Sequence, residues 1–150
     1  MRRLASVFFG GDGGGSTVAD LGLLLLRVVA GLMLAFAHGV NKLPPSERFL
    51  ASVDRLGFPL PEVFAWAAGL AEFIGGILLA LGLLTRPSAF FIACTMATAA
   101  FLRHAADPFT DKEKALLFLV IALFFLIAGS GRFGLDEWFR RRERQYVRRY

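Results

Sequence analysis

The chain has 150 residues, a formal net charge of +5, 56% hydrophobic residues and a mean hydropathy of +0.58. That apolar excess excludes an ordinary soluble domain, and the length leaves room for one domain rather than two. The single cysteine, Cys94, excludes an internal disulfide and is expected as a small core or lipid-facing residue rather than a redox centre.

At the start of the chain, Arg2 and Arg3 precede Leu4 to Phe9, a run too short for a signal-peptide core, and the glycine-rich stretch Gly10 to Gly15 cuts it off. Residues 1–19 are expected as a flexible tail, with Asp20 as the N-cap of the first helix. Four apolar runs follow: Leu21 to Val40, Val63 to Leu84, Pro87 to Leu102 and Ala115 to Ala128. None alternates with the two-residue period of a barrel strand, so each predicts a helix, the other backbone form that lipid tolerates. With their flanks, helices are predicted over about 20–40, 62–84, 87–104 and 113–129, to cross a hydrocarbon core of about 30 Å at about 1.5 Å per residue. The expected fold is all-α, an integral membrane four-helix bundle over residues 20–138, followed by a basic tail over residues 139–150.

An even number of spans puts both termini on one side. Arg140, Arg141, Arg142, Arg144, Arg148 and Arg149 fall there, with Arg2, Arg3 and Arg86 in the turn before Pro87. The two segments on the other side balance their charges: Lys42, Arg48 and Arg55 against Glu47, Asp54 and Glu62, then Arg103, Lys112 and Lys114 against Asp107, Asp111 and Glu113. The positive-inside rule makes both termini cytoplasmic and the protein multi-pass in the cell's inner (cytoplasmic) membrane. The arginine-rich tail is expected to meet anionic headgroups, with Trp138, Tyr146 and Tyr150 as interface anchors, so no nucleic-acid partner is expected.

Residues three and four apart share a helix face. Arg27, Gly31, Ala35 and His38 form one such stripe, Ala68, Glu72, Gly76 and Ala80 a second, and Ala89, Ala93, Ala97, Ala100 and His104 a third. Small residues at this spacing let membrane helices pack closely, so all three stripes are expected to face inward. The fourth helix, with Phe118, Phe124 and Phe125, is expected to be more exposed to lipid. Counted from the cytoplasmic boundary at about 1.5 Å per residue, Arg27 lies roughly 9 Å deep and Glu72 roughly 18 Å, close enough to predict an Arg27–Glu72 ion pair. His38, at roughly 26 Å, shares an outer layer with His104, Lys42, Arg103 and Glu113.

A carboxylate in hydrocarbon demands a partner or a proton. The polar interior therefore admits two readings: an ion pair that fixes helix register, or a protonatable pocket for a small redox molecule such as a quinone. In the second, Glu72 and His38 are the candidate proton-handling catalytic residues, and Arg27, Lys42, His104, Arg103 and Glu113 the candidate ligand-binding residues. His38 and His104 would be the axial ligands were a haem bound, but nothing in their spacing specifies iron, and no metal site is expected. The chain has no zinc-like Cys/His cluster, phosphate loop, nucleotide fingerprint or nucleophile elbow.

Three blocks in order carry a resemblance: Ala37 to Leu43; Gly69 to Gly76 running into Leu81 to Arg86; and Gly129 to Asp136. From about Asp20 to Trp138 the chain resembles the DoxX family of small four-helix bacterial and archaeal membrane proteins. Relatives in that family include the small membrane subunit of an archaeal thiosulfate:quinone oxidoreductase and a mycobacterial member associated with oxidative-stress enzymes, so the resemblance implies a place near respiratory or redox metabolism. It falls on His38, Lys42, Glu72, Thr85 and Arg86. Gly69, Gly75, Gly76, Thr85 and Arg86 are the expected structural positions. The favoured expectation is a membrane subunit that binds quinone or another small redox partner, at most one subunit of a quinone-linked oxidoreductase, with a partner subunit or a homo-oligomer completing it. The alternatives are a non-catalytic membrane scaffold and an oligomeric transporter of a small solute.

Overall fold

The elements follow the apolar runs, and the chain turns where a residue cannot continue a helix. The computed structural model describes residues 17–147, and among them there is no strand. Six α-helices are described: α1 (Thr17–Met33), α2 (Glu47–Asp54), α3 (Pro61–Leu81), α4 (Thr85–Thr98), α5 (Phe109–Ala128) and α6 (Leu135–Val147). α1 runs on through a π-helical turn (Leu34–Gly39) and a 3-10 turn (Val40–Lys42), and α4 through a second π-helical turn (Ala99–Arg103). Residues 1–16 of the expected tail, Tyr150 and the side chain of Tyr146 lie outside what is described. Because α1 begins at Thr17, Asp20 sits in its first turn and is not its N-cap; its carboxylate lies 4.0 Å from Arg132.

α3 ends at Leu81 rather than at the predicted Leu84. Gly82 takes a left-handed φ of 68° and closes the helix: its N–H donates to Leu79 O and the Leu83 N–H to Leu78 O, both at 3.0 Å. α4 begins at Thr85, so Arg86 and Pro87 occupy its first turn, where proline's missing N–H forfeits no helix bond. Its N-terminal amides are capped from far along the chain, for Asp136 accepts the Leu84 N–H at 2.8 Å and the Thr85 N–H at 2.9 Å. The carboxylate holds Leu84 at a φ of 48°, a value that residues with a Cβ seldom adopt. In α6, Arg141 at 2.9 Å and Arg140 donate to Glu137 and hold its carboxyl below the ordinary range, and the Arg142 guanidinium lies 3.9 Å over the Trp138 ring.

α1 and α3 cross antiparallel at backbone contact. A Cβ on Gly31 would lie 2.5 Å from Gly76 O, and one on Gly76 2.7 Å from Gly31 O. α4 packs on α3 and α5 on α4 around Leu79, Ala89, Ile92, Met96, Phe118, Ala122 and Phe125. The expectation that α5 turns its phenylalanines to lipid is thus corrected. Phe118, Ala122 and Phe125 recur at helical spacing on its inner face, while Phe124 remains 41% exposed.

The outer faces are apolar: Leu25, Val29, Leu32, Leu117, Val120 and Ile127 are all exposed. Two helical segments, Thr17–Lys42 and Pro61–Leu81, are long and apolar enough to cross a bilayer, and only 28% and 39% of their apolar windows are buried within the protein. Surfaces of this kind are stable against hydrocarbon and not against water.

The two adjacent glycines of α3 should behave differently. A Cβ on Gly75 meets nothing nearer than Ile92 at 3.5 Å, an ordinary contact, whereas Gly76 faces backbone. Gly75→Ala should be neutral or stabilising by up to about 1 kcal/mol, and Gly76→Ala should destabilise by about 1–3 kcal/mol. Thermal unfolding of the two variants in one detergent, followed by helicity, is the check.

Candidate functional site

The crossing of α1 and α3 decides where each ionisable side chain of the interior ends up. With Gly31 against Gly76 and Ala80, and Gly39 against Phe73 and Glu72, the two helices run in opposite directions at a set register. Glu72 therefore lies level with Gly39, about 18 Å along α1 from Arg27 at about 1.5 Å per residue. The predicted Arg27–Glu72 ion pair does not form. The sequence estimate halved the true offset because it set Leu21 and Leu84 at one level, whereas the contacts of Gly31 with Ala80 and of Arg27 with Ala80 O bring the end of α3 level with Arg27.

Arg27 instead closes the opposite end of the fold. It is 1% exposed, and its Nε donates to Ala80 O at 3.3 Å, its Nη1 to Ser130 O and its Nη2 to Phe133 O at 3.4 Å. These carbonyls lie at and just beyond the C-terminal ends of α3 and α5, where helix dipoles favour a cation and the carbonyls lack helical partners. Gly82 and Gly134 leave room for the guanidinium, since a Cβ on either would overlap it.

The partner of Glu72 is Lys42. Its Nζ lies 2.5 Å from Glu72 Oε1, with the Glu72 side chain fully buried and the lysine 30% exposed. Glu72 Oε2 is buried with no hydrogen-bond partner. Two glycines bring the pair together. Gly39 lets α1 pass against the backbone of Glu72 and Phe73, and Gly69 makes room for Leu43 beside the turn that carries Lys42, where a Cβ would come within 2.7 Å of Leu43 Cδ2.

This pair stands in the wall of a cavity of about 610 Å³ enclosed by the end of the first helical segment, α2, α3, α4 and α5. His38, Lys42, Glu72, Arg103 and His104, five of the expected site residues, line it together with Asp111 and Lys114. The remaining walls are mainly apolar, with Phe49, Phe58, Phe64, Phe90, Phe91 and Phe118 contributing rings. His38 belongs to the first π-helical turn, and Arg103 ends the second with His104 next to it. A π-turn inserts a residue and re-aims the side chains around it, which is why such turns recur at functional sites.

The polar groups are individually anchored. Arg103 Nη1 donates to Ser52 Oγ at 2.6 Å, and Ser52 Oγ donates to Phe49 O at 2.7 Å. His104 Nδ1 and Asp107 Oδ2 are 2.7 Å apart, the His38 ring meets Phe118 edge-on at 5.8 Å, and Lys42 Nζ lies 5.5 Å over Phe49. Cys94, expected in the core or facing lipid, is exposed on the cavity wall. Among the described residues no three His, Cys, Asp or Glu side chains cluster to hold a metal ion.

Arg27 and Glu113 do not reach the cavity. Asp111, Lys114, Ala115 and Phe118 occupy the inward face of α5, so the three-and-four spacing of that helix already pointed to Lys114 rather than to Glu113. The sequence reading missed α2, which supplies Phe49, Ser52 and Val53. Its signal was present: Ser46 caps the helix by accepting the Phe49 N–H at 3.3 Å, and Phe49 and Val53 recur at helical spacing.

Fold and site together define a small helical membrane protein with an ion pair in the wall of a half-open cavity. The chain belongs to the DoxX family, whose sequence model, described as DoxX, matches residues 22–105. It is 34% identical to an uncharacterised protein of Haemophilus influenzae over 78% of this chain and 90% of that one. It is 31% identical to CatD of Bacillus subtilis, whose name provisionally describes an oxidoreductase, over 79% of this chain and 87% of the relative. It is also 31% identical to the inner membrane protein YqjF of Escherichia coli, over 79% and 92% of the two chains. No solved structure matches it.

Two expectations distinguish the roles of the buried charges. Lys42→Met leaves the Glu72 carboxylate without its donor and should cost about 3–5 kcal/mol, and adding Glu72→Gln should restore a large part of that loss. Arg27→Lys, which cannot reach three carbonyls at once, should lower stability by about 2–3 kcal/mol whether or not Glu72 is altered. Unfolding of the single and double variants in detergent measures both.

Proposed function

We propose that the chain is a membrane subunit of a respiratory or redox assembly and that it binds quinone, or another small redox-active aromatic, in the cavity beside Glu72. One observation supports this reading most. A fully buried carboxylate with an unpartnered oxygen stands in the wall of a cavity whose other surfaces are largely aromatic and aliphatic. Flat rings fit walls made by Phe49, Phe64, Phe90 and Phe91, and carbonyl oxygens need donors of the kind that Lys42, Arg103 and the histidines carry. A bound quinone supplies two-electron, two-proton carrier chemistry. The chain's own part in this reading is to orient the ring, exclude water, and hold or move protons at Glu72 and His38. Arg27, bonded at the other end, positions helices rather than tuning the carboxylate. The electron-transfer centre belongs to a partner subunit. The name of the Bacillus subtilis relative favours the redox half of the reading and does not bear on quinone.

In the same reading all four long helical segments cross the bilayer as a bundle, with both termini cytoplasmic. Arg86, Arg132, Arg140 and Arg141 surround a second cavity, of about 600 Å³, at the Arg27 end of the molecule. The positive-inside rule assigns that end to the cytoplasm and so puts the Glu72 cavity toward the outer face.

Protein purified in lipid nanodiscs should retain quinone in its lipid extract and bind an added short-chain quinone. Glu72→Gln should weaken binding of the reduced form, which presents a proton to the carboxylate, by about tenfold. Undiminished binding in the folded variant removes the proton role of Glu72, and a wild-type protein that neither retains nor binds quinone refutes the reading.

A further inference from the structure

Resting on that reading of the cavity, we propose that the site is built for the reduced, hydroxyl-bearing form of its ligand, a hydroquinone, in preference to the quinone. The two forms share ring and size and differ at the oxygens: a hydroquinone O–H both donates and accepts a hydrogen bond, and a quinone carbonyl only accepts.

Glu72 is 0% exposed, with Lys42 on Oε1 at 2.5 Å and nothing on Oε2. An ionised carboxylate accepts about four hydrogen bonds and donates none, so what this one lacks is a donor. Of the other donors in the cavity wall, Arg103 bonds Ser52 and His104 meets Asp107, and neither they nor His38 nor Lys114 bonds Oε2. On its α1 side the residue is sealed by backbone, because a Cβ on Gly39 would lie 2.8 Å from the Glu72 carbonyl carbon. The open side from which a further donor can come is the cavity, whose wall includes Glu72.

Lys42 is the movable half of the pair. It sits on the short Val40–Lys42 turn, and its side chain is 30% exposed. A ligand hydroxyl that enters between ammonium and carboxylate leaves every group bonded: its oxygen accepts from Lys42 Nζ and its hydrogen goes to Glu72. A carbonyl in the same place accepts from Lys42 but takes away the only donor Glu72 has, leaving both carboxylate oxygens dry and unpaired. An unpaired buried charge is penalised far more than an additional hydrogen bond is rewarded, so the discrimination falls against the quinone.

The test uses the full chain in nanodiscs under anaerobic conditions, titrated with duroquinone, its hydroquinone, and the dimethyl ether of that hydroquinone, which keeps the ring but has no O–H. The hydroquinone should bind about tenfold or more tightly than either of the others. In Glu72→Gln that preference should vanish or reverse, because an amide N–H can donate to a carbonyl. Quinone binding as tight as hydroquinone binding overturns the inference while leaving the cavity a quinone site. Ether binding as tight as hydroquinone binding overturns it without recourse to any variant. If none of the three binds, the proposed function fails and the inference with it.

Discussion

The rest of the structure depends on the backbone contact between α1 and α3 at Gly31 and Gly76. In lipid, apolar side chains gain nothing by leaving one hydrocarbon surface for another, so helices associate where small residues let their backbones approach. Here the approach is close enough that no Cβ fits on either glycine. A contact of this kind admits one register. That register puts Arg27 beside the end of α3 and Glu72 beside Gly39, within reach of Lys42. Two buried charges thereby acquire their partners from one crossing.

The two ends of the molecule are consequently built for different work. At one, Arg27 gathers the carbonyls that follow α3 and α5 while Asp136 caps the amides that open α4, so three helix termini are tied to each other and to the segment after α5. Arg27 and Asp136 each hold more than one partner there, while the Thr85 hydroxyl is buried without one, and Leu84 is held in a left-handed conformation that it would not keep alone. At the other end two helices loosen into π-turns, a lysine remains partly exposed, one carboxylate oxygen is left over, and a cavity opens. A charge with incomplete hydrogen bonding beside a cavity, against charges tied to helix ends at the first, is what a binding site requires of a small fold: a rigid frame with unfilled valence next to open space.

Much of this was legible in the residues. Small-residue stripes marked the inner faces of α1, α3 and α4, and of the polar set Glu72, His38, Arg27, Lys42, His104, Arg103 and Glu113, all but Arg27 and Glu113 share a cavity. The pairing within the set was not legible, because it depends on the offset between two helices, and taking Leu21 rather than Arg27 as level with the end of α3 is enough to exchange Lys42 for Arg27 as the partner. The aromatic wall from α2 was overlooked because a short helix between two long apolar runs carries little weight in a search for spans. Its cap at Ser46 and the Phe49–Val53 spacing were nonetheless present. The inner face of α5 was misjudged because phenylalanine suits both lipid and a packed interior, and only the alanines of the neighbouring helix decide between them.

By itself the sequence determined the helical class, the apolar outer faces, the glycines that allow close crossing and the identity of the ionisable groups committed to the interior. These follow from local composition and period, which act within one helix. The tertiary structure alone decided that Lys42 neutralises Glu72, that Arg27 serves as a clamp on helix ends, that Asp136 caps a helix 51 residues earlier, and that one oxygen of Glu72, a residue of the cavity lining, is left without a donor. Each of these depends on the register of one helix against another, and that register is set by backbone contact in three dimensions rather than by any pattern along the chain.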